Sequence, residues 1–255
     1  MKISTILRSL LIIIVGLPAM ASAQTKWMNP TDANEPYICG RAWNKEMGKS
    51  YNRLPQRFKA TVPGRVWGNS TMTAGLTVRF VTTSPNISVK YVCTSQSYGT
   101  FNLSGMVHSG VDLYGKAADG KMHWIGNHMR WSMKGDTITI SFPKLSVPAN
   151  RRTEYTLYLP NYNGVKWLAV GVDSNSDFQF MRQSKERPVV IYGSSIIHGA
   201  SPSRPGMSIP NIVGREMGFP LINLGFSGSA YMEPAVFDML GEIDARLFVL
   251  DPIPN

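Results

Sequence analysis

Residues that bind metals or form disulfides are scarce in this sequence. It has two cysteines, Cys39 and Cys93, and its four histidines are spread along the chain without the short spacings of a metal site. Two cysteines exclude a small disulfide-rich scaffold. They are compatible with either one Cys39–Cys93 disulfide or two buried free thiols. We therefore expect no metal ion and no cofactor.

Acidic residues are also few, because 16 Asp and Glu stand against 26 Lys and Arg, which gives a formal net charge of +10. The basic residues are scattered, and the chain has no dense basic run and no nucleic-acid-binding motif. A basic surface that faces solvent is the simplest interpretation. An anionic polysaccharide or a membrane surface is the alternative partner, and no nucleic acid is expected.

Long hydrophobic runs are missing after the first 23 residues. Within them, Lys2 and Arg8 precede a short apolar stretch at 10–20, which ends in Ala21-Ser22-Ala23. This order is typical of a secretory signal peptide with cleavage after Ala23. The apolar stretch is too short to span a bilayer. We expect a secreted or periplasmic protein, with no stable membrane insertion once residues 1–23 are removed.

Short alternating or apolar runs, separated by turn residues, fill the region 24–185. Many short strands at this spacing predict an all-β sandwich or jelly roll. The predicted strands are 76–80, 87–92, 110–114, 137–142, 155–159 and 165–172. We interpret 24–185 as an N-terminal β domain.

The pattern changes in residues 186–255, which we interpret as a second domain. Fully apolar strands are predicted at 189–192, 220–224 and 247–250, and helices at 208–217 and 233–241. Apolar strands that alternate with helices predict a parallel α/β sheet. Complete open sheets of this kind have about five strands. We therefore expect the α/β part to be incomplete.

Three loops of the α/β part carry residues suited to acyl transfer. Ser195 follows the first strand, the glycine-rich loop 223–228 follows the second, and Asn255 follows the third. These loops share one edge, because the carboxyl ends of parallel strands lie together. There, the N–H of Gly228 and the amide of Asn255 are suited to bind an oxyanion. Each loop alone also fits ordinary turn chemistry, and Ser194 is either a competing nucleophile or a helix cap.

These loops resemble the conserved blocks of the SGNH (GDSL-like) hydrolases. Gly193-Ser194-Ser195-Ile196 resembles the Gly-Asp-Ser-Leu block, with Ser195 in the position of the nucleophile. The loop 223–228 resembles the second block, with Gly228 as an oxyanion donor. Residues 251–255 resemble a variant third block, with Asn255 as the oxyanion asparagine. The resemblance implies hydrolysis of carboxylic esters, with an oxyanion hole formed by Ser195, Gly228 and Asn255.

The N-terminal region also resembles part of this superfamily. Segments 40–43, 51–55 and 109–114 are typical of a β-sandwich domain found in a secreted bacterial branch. The resemblance therefore implies a flavodoxin-like α/β hydrolase domain preceded by an all-β sandwich.

The sequence departs from the family pattern at two places. Ser194 stands where the first block has Asp, a change that leaves the nucleophile untouched. The Asp-x-x-His block, which supplies the general base of the family, does not occur before Asn255. His198 follows Ser195 closely but has no evident carboxylate partner, so we interpret it as a loop or pocket residue, with a role as the base as the alternative. We therefore expect a C-terminally truncated chain that is inactive by itself.

Two classes of function follow from these observations. The leading hypothesis is a secreted carbohydrate O-acetylesterase that acts on an acylated carbohydrate or another ester, because export and the domain pairing favour it. The alternative is a catalytically dead glycan-binding module. A lipase is less favoured, since no amphipathic lid is evident.

Tryptophans either stack on sugars or belong to the core of the sandwich; those considered are Trp43, Trp67, Trp124, Trp131 and Trp167.

Overall fold

The structure is a computed structural model that describes residues 24–127, 132–146 and 151–252. The first part of this described chain is rich in β-strands. They are β1 (Thr25–Met28), β2 (Thr77–Thr82), β3 (Ile87–Cys93), β4 (Asp112–Lys116), β5 (Met122–Gly126), β6 (Ser132–Lys134), β7 (Thr137–Phe142), β8 (Thr153–Tyr158), β9 (Val165–Asp173) and β10 (Phe178–Met181). The helices between them are a 3₁₀ helix at Gln56–Ala60, α1 (Gly64–Ser70) and α2 (Gly105–Ser109).

These strands form two antiparallel sheets that pack on one core. The sheet orders are β1-β9-β3-β7-β6 and β10-β2-β8-β4-β5. In β3, fully buried residues alternate with half-buried ones along the strand, so each strand turns one row of apolar side chains inward. The shared core includes Phe80, Tyr91, Leu157 and Val170. Its burial is the main force that holds the two sheets together.

The second part of the described chain is a three-stranded parallel sheet with helices. Its elements are β11 (Val189–Gly193), α3 (Ser195–His198), a 3₁₀ helix at Pro205–Met207, α4 (Ile209–Met217), β12 (Leu221–Gly225), α5 (Pro234–Gly241) and β13 (Leu247–Asp251). The order is β12-β11-β13, and β11 is buried along its whole length because it lies in the centre. Among the described strands, β13 pairs only with β11, and its four apolar residues are exposed.

One N-terminal segment packs on the parallel sheet instead of on the sandwich core. Leu54, Phe58 and Val66, from the region around the first 3₁₀ helix and α1, share a core with Tyr192 and Leu224. The hydrophobic core of the α/β part is therefore built from residues on both sides of position 185. That position marks where the type of fold changes along the chain, and it does not separate two independent cores.

The two cysteines are separate, buried thiols. Burial raises the pKa of Cys39 to about 11 and that of Cys93 to about 12. Both thiols are therefore protonated and unreactive at neutral pH. Of the two alternatives that the sequence left open, the structure contains the free thiols.

Candidate active site

Three strand ends meet at one edge of the parallel sheet. The register places Gly193 at the end of β11 beside Gly225 of β12 on one side and Asp251 of β13 on the other. The loops that follow these residues therefore lie side by side, as the sequence predicted for Ser195 and Gly228. Asn255, the third predicted residue, lies outside the described residues.

Glycines at the strand ends allow α3 to lie directly against β12. A Cβ atom on Gly225 would lie 2.2 Å from the backbone nitrogen of His198. A Cβ atom on Gly193 would lie 2.7 Å from the carbonyl oxygen of Asp251. A Cβ atom at either position would collide with these backbone atoms. The two glycines therefore allow the close packing that positions α3 and Ser195, its first residue.

The adjacent serines have opposite environments. Ser194 is fully buried, and its Oγ has no hydrogen-bond partner in the described part of the chain. It does not cap α3 with its side chain. Ser195 is partly exposed at the edge of the sheet. Of the two hydroxyls, that of Ser195 is the one a substrate can reach.

Gly228 lies in the loop that follows β12 and is exposed. Its φ of 62° is in the left-handed region that favours glycine. A Cβ atom there would meet nothing within 4 Å, so the space beside this residue is open. Among the described residues, none accepts a hydrogen bond from its N–H. The N–H of Gly228 is therefore free within the described residues, and its role as an oxyanion donor stays a prediction.

His198 is a structural link and not a general base. It is completely buried, its Nε2 donates to the carbonyl oxygen of Asn161 at 2.8 Å, and its Nδ1 accepts from the N–H of Ser227 at 3.3 Å. Its ring stacks on Tyr162 with 4.4 Å between centroids. Burial, reinforced by the charge of Arg53, holds the pKa of His198 well below its ordinary value. A neutral imidazole with both nitrogens bound cannot accept the proton of Ser195.

The sandwich contacts the site through the loop after β8. The Nδ2 of Asn161 donates to the carbonyl oxygen of Gly199 at 3.1 Å. The hydroxyl of Tyr162 donates to Ser227 Oγ at 3.2 Å and lies 3.5 Å from the carbonyl oxygen of Ser195. A side chain on Gly199 would collide with Asn161, since its Cβ would lie 2.3 Å from Nδ2. The two parts of the chain are therefore interlocked directly behind the predicted nucleophile.

Arg53 connects the N-terminal segment to the end of β12. Its guanidinium is buried and donates to four carbonyl oxygens, those of Asn69 (2.7 Å), Met72 (3.0 Å), Asn223 (3.1 Å) and Gly225 (2.8 Å). Burial lowers the pKa of Arg53 to about 9, so the group is still charged at neutral pH. Its position fixes the strand that leads into the Ser227–Gly228 loop.

Asp112 anchors the loop 199–207 that follows α3. Its buried carboxylate accepts hydrogen bonds from the N–H of Gly206 at 3.0 Å and from Nε1 of Trp124 at 2.8 Å. It also lies 3.4 Å from Nε of Arg204. Burial raises the pKa of Asp112 to about 6. The segment 109–114 thus connects the sandwich to the loop 199–207. We did not predict this role for Asp112. The available signal in the sequence was a carboxylate inside an apolar run.

The described residues hold a candidate nucleophile and an oxyanion donor but no general base for them. None of these residues hydrogen-bonds to Ser195 Oγ, and no His, Cys, Asp or Glu group among them is arranged to hold a metal ion. In the same described ranges, no helix has the length and the apolar character needed to cross a membrane. Within the described residues, the site therefore has a partly exposed serine and a free backbone N–H, without a side chain placed to accept the serine proton.

Two family models together cover most of the chain. The N-terminal domain of SGNH-hydrolase-type esterases, named for its GxDLY motif, matches residues 25–178, and the GDSL-like lipase/acylhydrolase family matches residues 186–255. The GxDLY motif corresponds to Gly110–Tyr114, which contains Asp112. No curated protein matches the chain.

Two solved structures are similar to this chain. A protein assigned as a GDSL-like lipase from Bacteroides ovatus shares 34% identity over 91% of the chain, with a TM-score of 0.81. The salicylyl-acyltransferase SsfX3 from a tetracycline biosynthetic pathway shares 18% identity over 89% of the chain, with a TM-score of 0.64. The chain spans 65% and 61% of the lengths of these two proteins. The second likeness is one of fold alone.

Proposed function

Because the chain belongs to the GDSL-like lipase/acylhydrolase family of SGNH-type esterases, we propose that it carries the nucleophile of a serine esterase. The observation that supports this most directly is the contrast between the buried Ser194 and the accessible Ser195, beside the free N–H of Gly228. In this proposal, Ser195 Oγ attacks the ester carbon, the alcohol leaves, and water then releases the acid from the acyl-serine.

The oxyanion of each tetrahedral intermediate would accept hydrogen bonds from the N–H groups of Ser195 and Gly228. The amide of Asn255 is the proposed third donor. Such donors act mainly on the transition state, where the negative charge develops, and each contributes a few kcal/mol. The order β12-β11-β13, with the first strand in the centre, supports the proposal that the parallel sheet is the beginning of a flavodoxin-like domain.

The proposed substrate is an O-acetylated carbohydrate outside the cytoplasm. The signal-peptide pattern of residues 1–23 and the β-sandwich domain joined to the esterase part support it.

Removal of residues 1–23 during export should leave Gln24 as the first residue, and N-terminal sequencing of the protein from the cell envelope tests this. An intact Met1 on that protein would show that the segment is retained.

We propose that the general base for Ser195 lies outside the described residues, because His198, the histidine nearest in sequence, is bound at both nitrogens. We expect the 255-residue chain to hydrolyse p-nitrophenyl acetate about 10⁴-fold more slowly than a longer form that carries an Asp-x-x-His block. Circular dichroism of both forms controls for folding.

Similar rates for the two forms would mean that a base within these residues activates Ser195, contrary to the proposal. If both forms are inactive but bind an acetylated oligosaccharide, the glycan-binding module is the better description of the protein.

A further inference from the structure

Two exposed aromatic side chains of the N-terminal part lie near the loop 199–207, which follows the Ser195 helix. Phe101 is fully exposed, and Trp124 is 50% exposed. They differ from Trp43 and Trp67, which pack in or against the core that contains the parallel sheet. Of the tryptophans considered for sugar stacking, Trp131 lies outside the described residues, and Trp124 contacts Arg204 of the loop 199–207.

The loop that carries Phe101 is hydrogen-bonded to Asn163 and to Ser201. Asn163 Nδ2 donates to the carbonyl oxygens of Ser95 (3.0 Å) and Ser97 (3.3 Å) at the start of this loop. Further along it, the carbonyl oxygen of Asn102 accepts from Ser201 Oγ at 3.3 Å. Asn163 directly follows Tyr162, whose hydroxyl lies 3.5 Å from the carbonyl oxygen of Ser195. Phe101 thus projects from a loop that is tied to the rim of the site at two points.

The ring of Trp124 is also held in place. Its Nε1 donates to Asp112, and the guanidinium of Arg204 lies 4.4 Å from the centre of the ring. Arg204 and Ser201, the contact of the Phe101 loop, are three residues apart in the chain. Their Cα atoms are therefore at most about 11 Å apart. Both aromatic residues are attached to one short stretch of backbone just after α3.

We propose that Phe101 and Trp124 form a stacking surface for the sugar rings of an acylated oligosaccharide, with its ester directed to Ser195. This inference rests on the proposed function, because it assigns the alcohol part of the same substrate. Apolar ring faces combined with a few polar groups are suited to sugars, which present both C–H faces and hydroxyls. The polar groups here are Ser201, Ser203 and Arg204.

Binding of an acetylated xylo-oligosaccharide to the 255-residue chain tests the proposal without requiring turnover. By isothermal titration calorimetry, Phe101→Ala should raise the Kd about tenfold, which corresponds to about 1.4 kcal/mol. The side chain is fully exposed, so this change should not affect folding. The matched control is Trp27→Ala, since Trp27 is a 37% exposed aromatic on β1, the edge strand of the other sheet. It should bind with the wild-type Kd and, like Phe101→Ala, be checked by thermal melting.

Three results would contradict the proposed stacking surface. They are an unchanged Kd for Phe101→Ala, an equal loss of affinity in Trp27→Ala, and no binding by the wild-type chain at millimolar concentrations. These results would leave ester hydrolysis by Ser195 untouched, because p-nitrophenyl acetate has no sugar. In an active longer form, Phe101→Ala should raise KM for the acetylated oligosaccharide and leave the hydrolysis of p-nitrophenyl acetate unchanged. A selective loss on p-nitrophenyl octanoate would instead assign Phe101 to the acyl chain.

Discussion

In a form of the protein that hydrolyses acetyl esters, Ser195→Ala should lower kcat by at least about 10³-fold. The alanine variant lacks the oxygen that forms the acyl-enzyme, while its backbone N–H and the oxyanion site are retained. The fold should be unaffected, because Ser195 Oγ makes no hydrogen bond within the described residues and is partly exposed. Initial rates with p-nitrophenyl acetate, measured beside a thermal melt, test both statements.

Ser194→Ala is the matched control for this experiment. Ser194 Oγ is buried without a hydrogen-bond partner in the described part of the chain, so its removal relieves an unsatisfied polar group. We expect this variant to retain most of the turnover and to melt at the wild-type temperature or slightly above it. An inactive Ser194→Ala variant beside an active Ser195→Ala variant would show that the nucleophile is one residue earlier than proposed.

Arg53→Met should destabilise the protein by roughly 3–5 kcal/mol. The substitution keeps an apolar stem beside Phe226, on whose ring the guanidinium lies at 5.1 Å, but it removes the donors to four buried carbonyl oxygens. Loss of a buried charge that has no carboxylate partner offsets part of this cost. Urea unfolding followed by circular dichroism measures the net change in the free energy of unfolding.

Arg57→Met serves as the control for Arg53. Arg57 is close in sequence, but its side chain is 43% exposed and pairs with Glu46 and Glu242 at the surface. Its removal should change the free energy of unfolding by no more than about 1 kcal/mol. Equal stabilities of the two variants would contradict the structural role assigned to Arg53. The Arg53→Met variant should also have a displaced Gly228 loop, because the guanidinium of Arg53 donates a hydrogen bond to the carbonyl oxygen of Gly225.

The strands that were predicted from the sequence are those that pair with another strand on both sides. The six strands predicted in the N-terminal part overlap β2, β3, β4, β7, β8 and β9, all of them internal to their sheets. The four that were not predicted, β1, β5, β6 and β10, are the four edge strands. An edge strand exposes part of its surface, as β5 does from His123 to Ile125, so its hydrophobic alternation is weak.

Five elements of the α/β part, namely β11, β12, β13, α4 and α5, were predicted to within one residue at each end, because largely apolar strands alternate there with helical segments. The short helix α3 and the 3₁₀ helix at Pro205–Met207 were not predicted. The same local rules placed Ser195 and Gly228 at the carboxyl edge of the sheet. Sequence by itself thus determined the secondary structure of the interior and the position of the candidate nucleophile along the chain.

Only the tertiary structure decided which serine is accessible and what His198 does. Ser194 and Ser195 are adjacent residues of the same type. Their difference in burial comes from how α3 packs on β12. His198 was open to interpretation as a base until its partners, Asn161 and Ser227, were known, and these lie 37 and 29 residues away. Arg53 likewise reaches Gly225 across 172 residues. Local patterns carry no information about such contacts, because they depend on which distant segments share the same buried space.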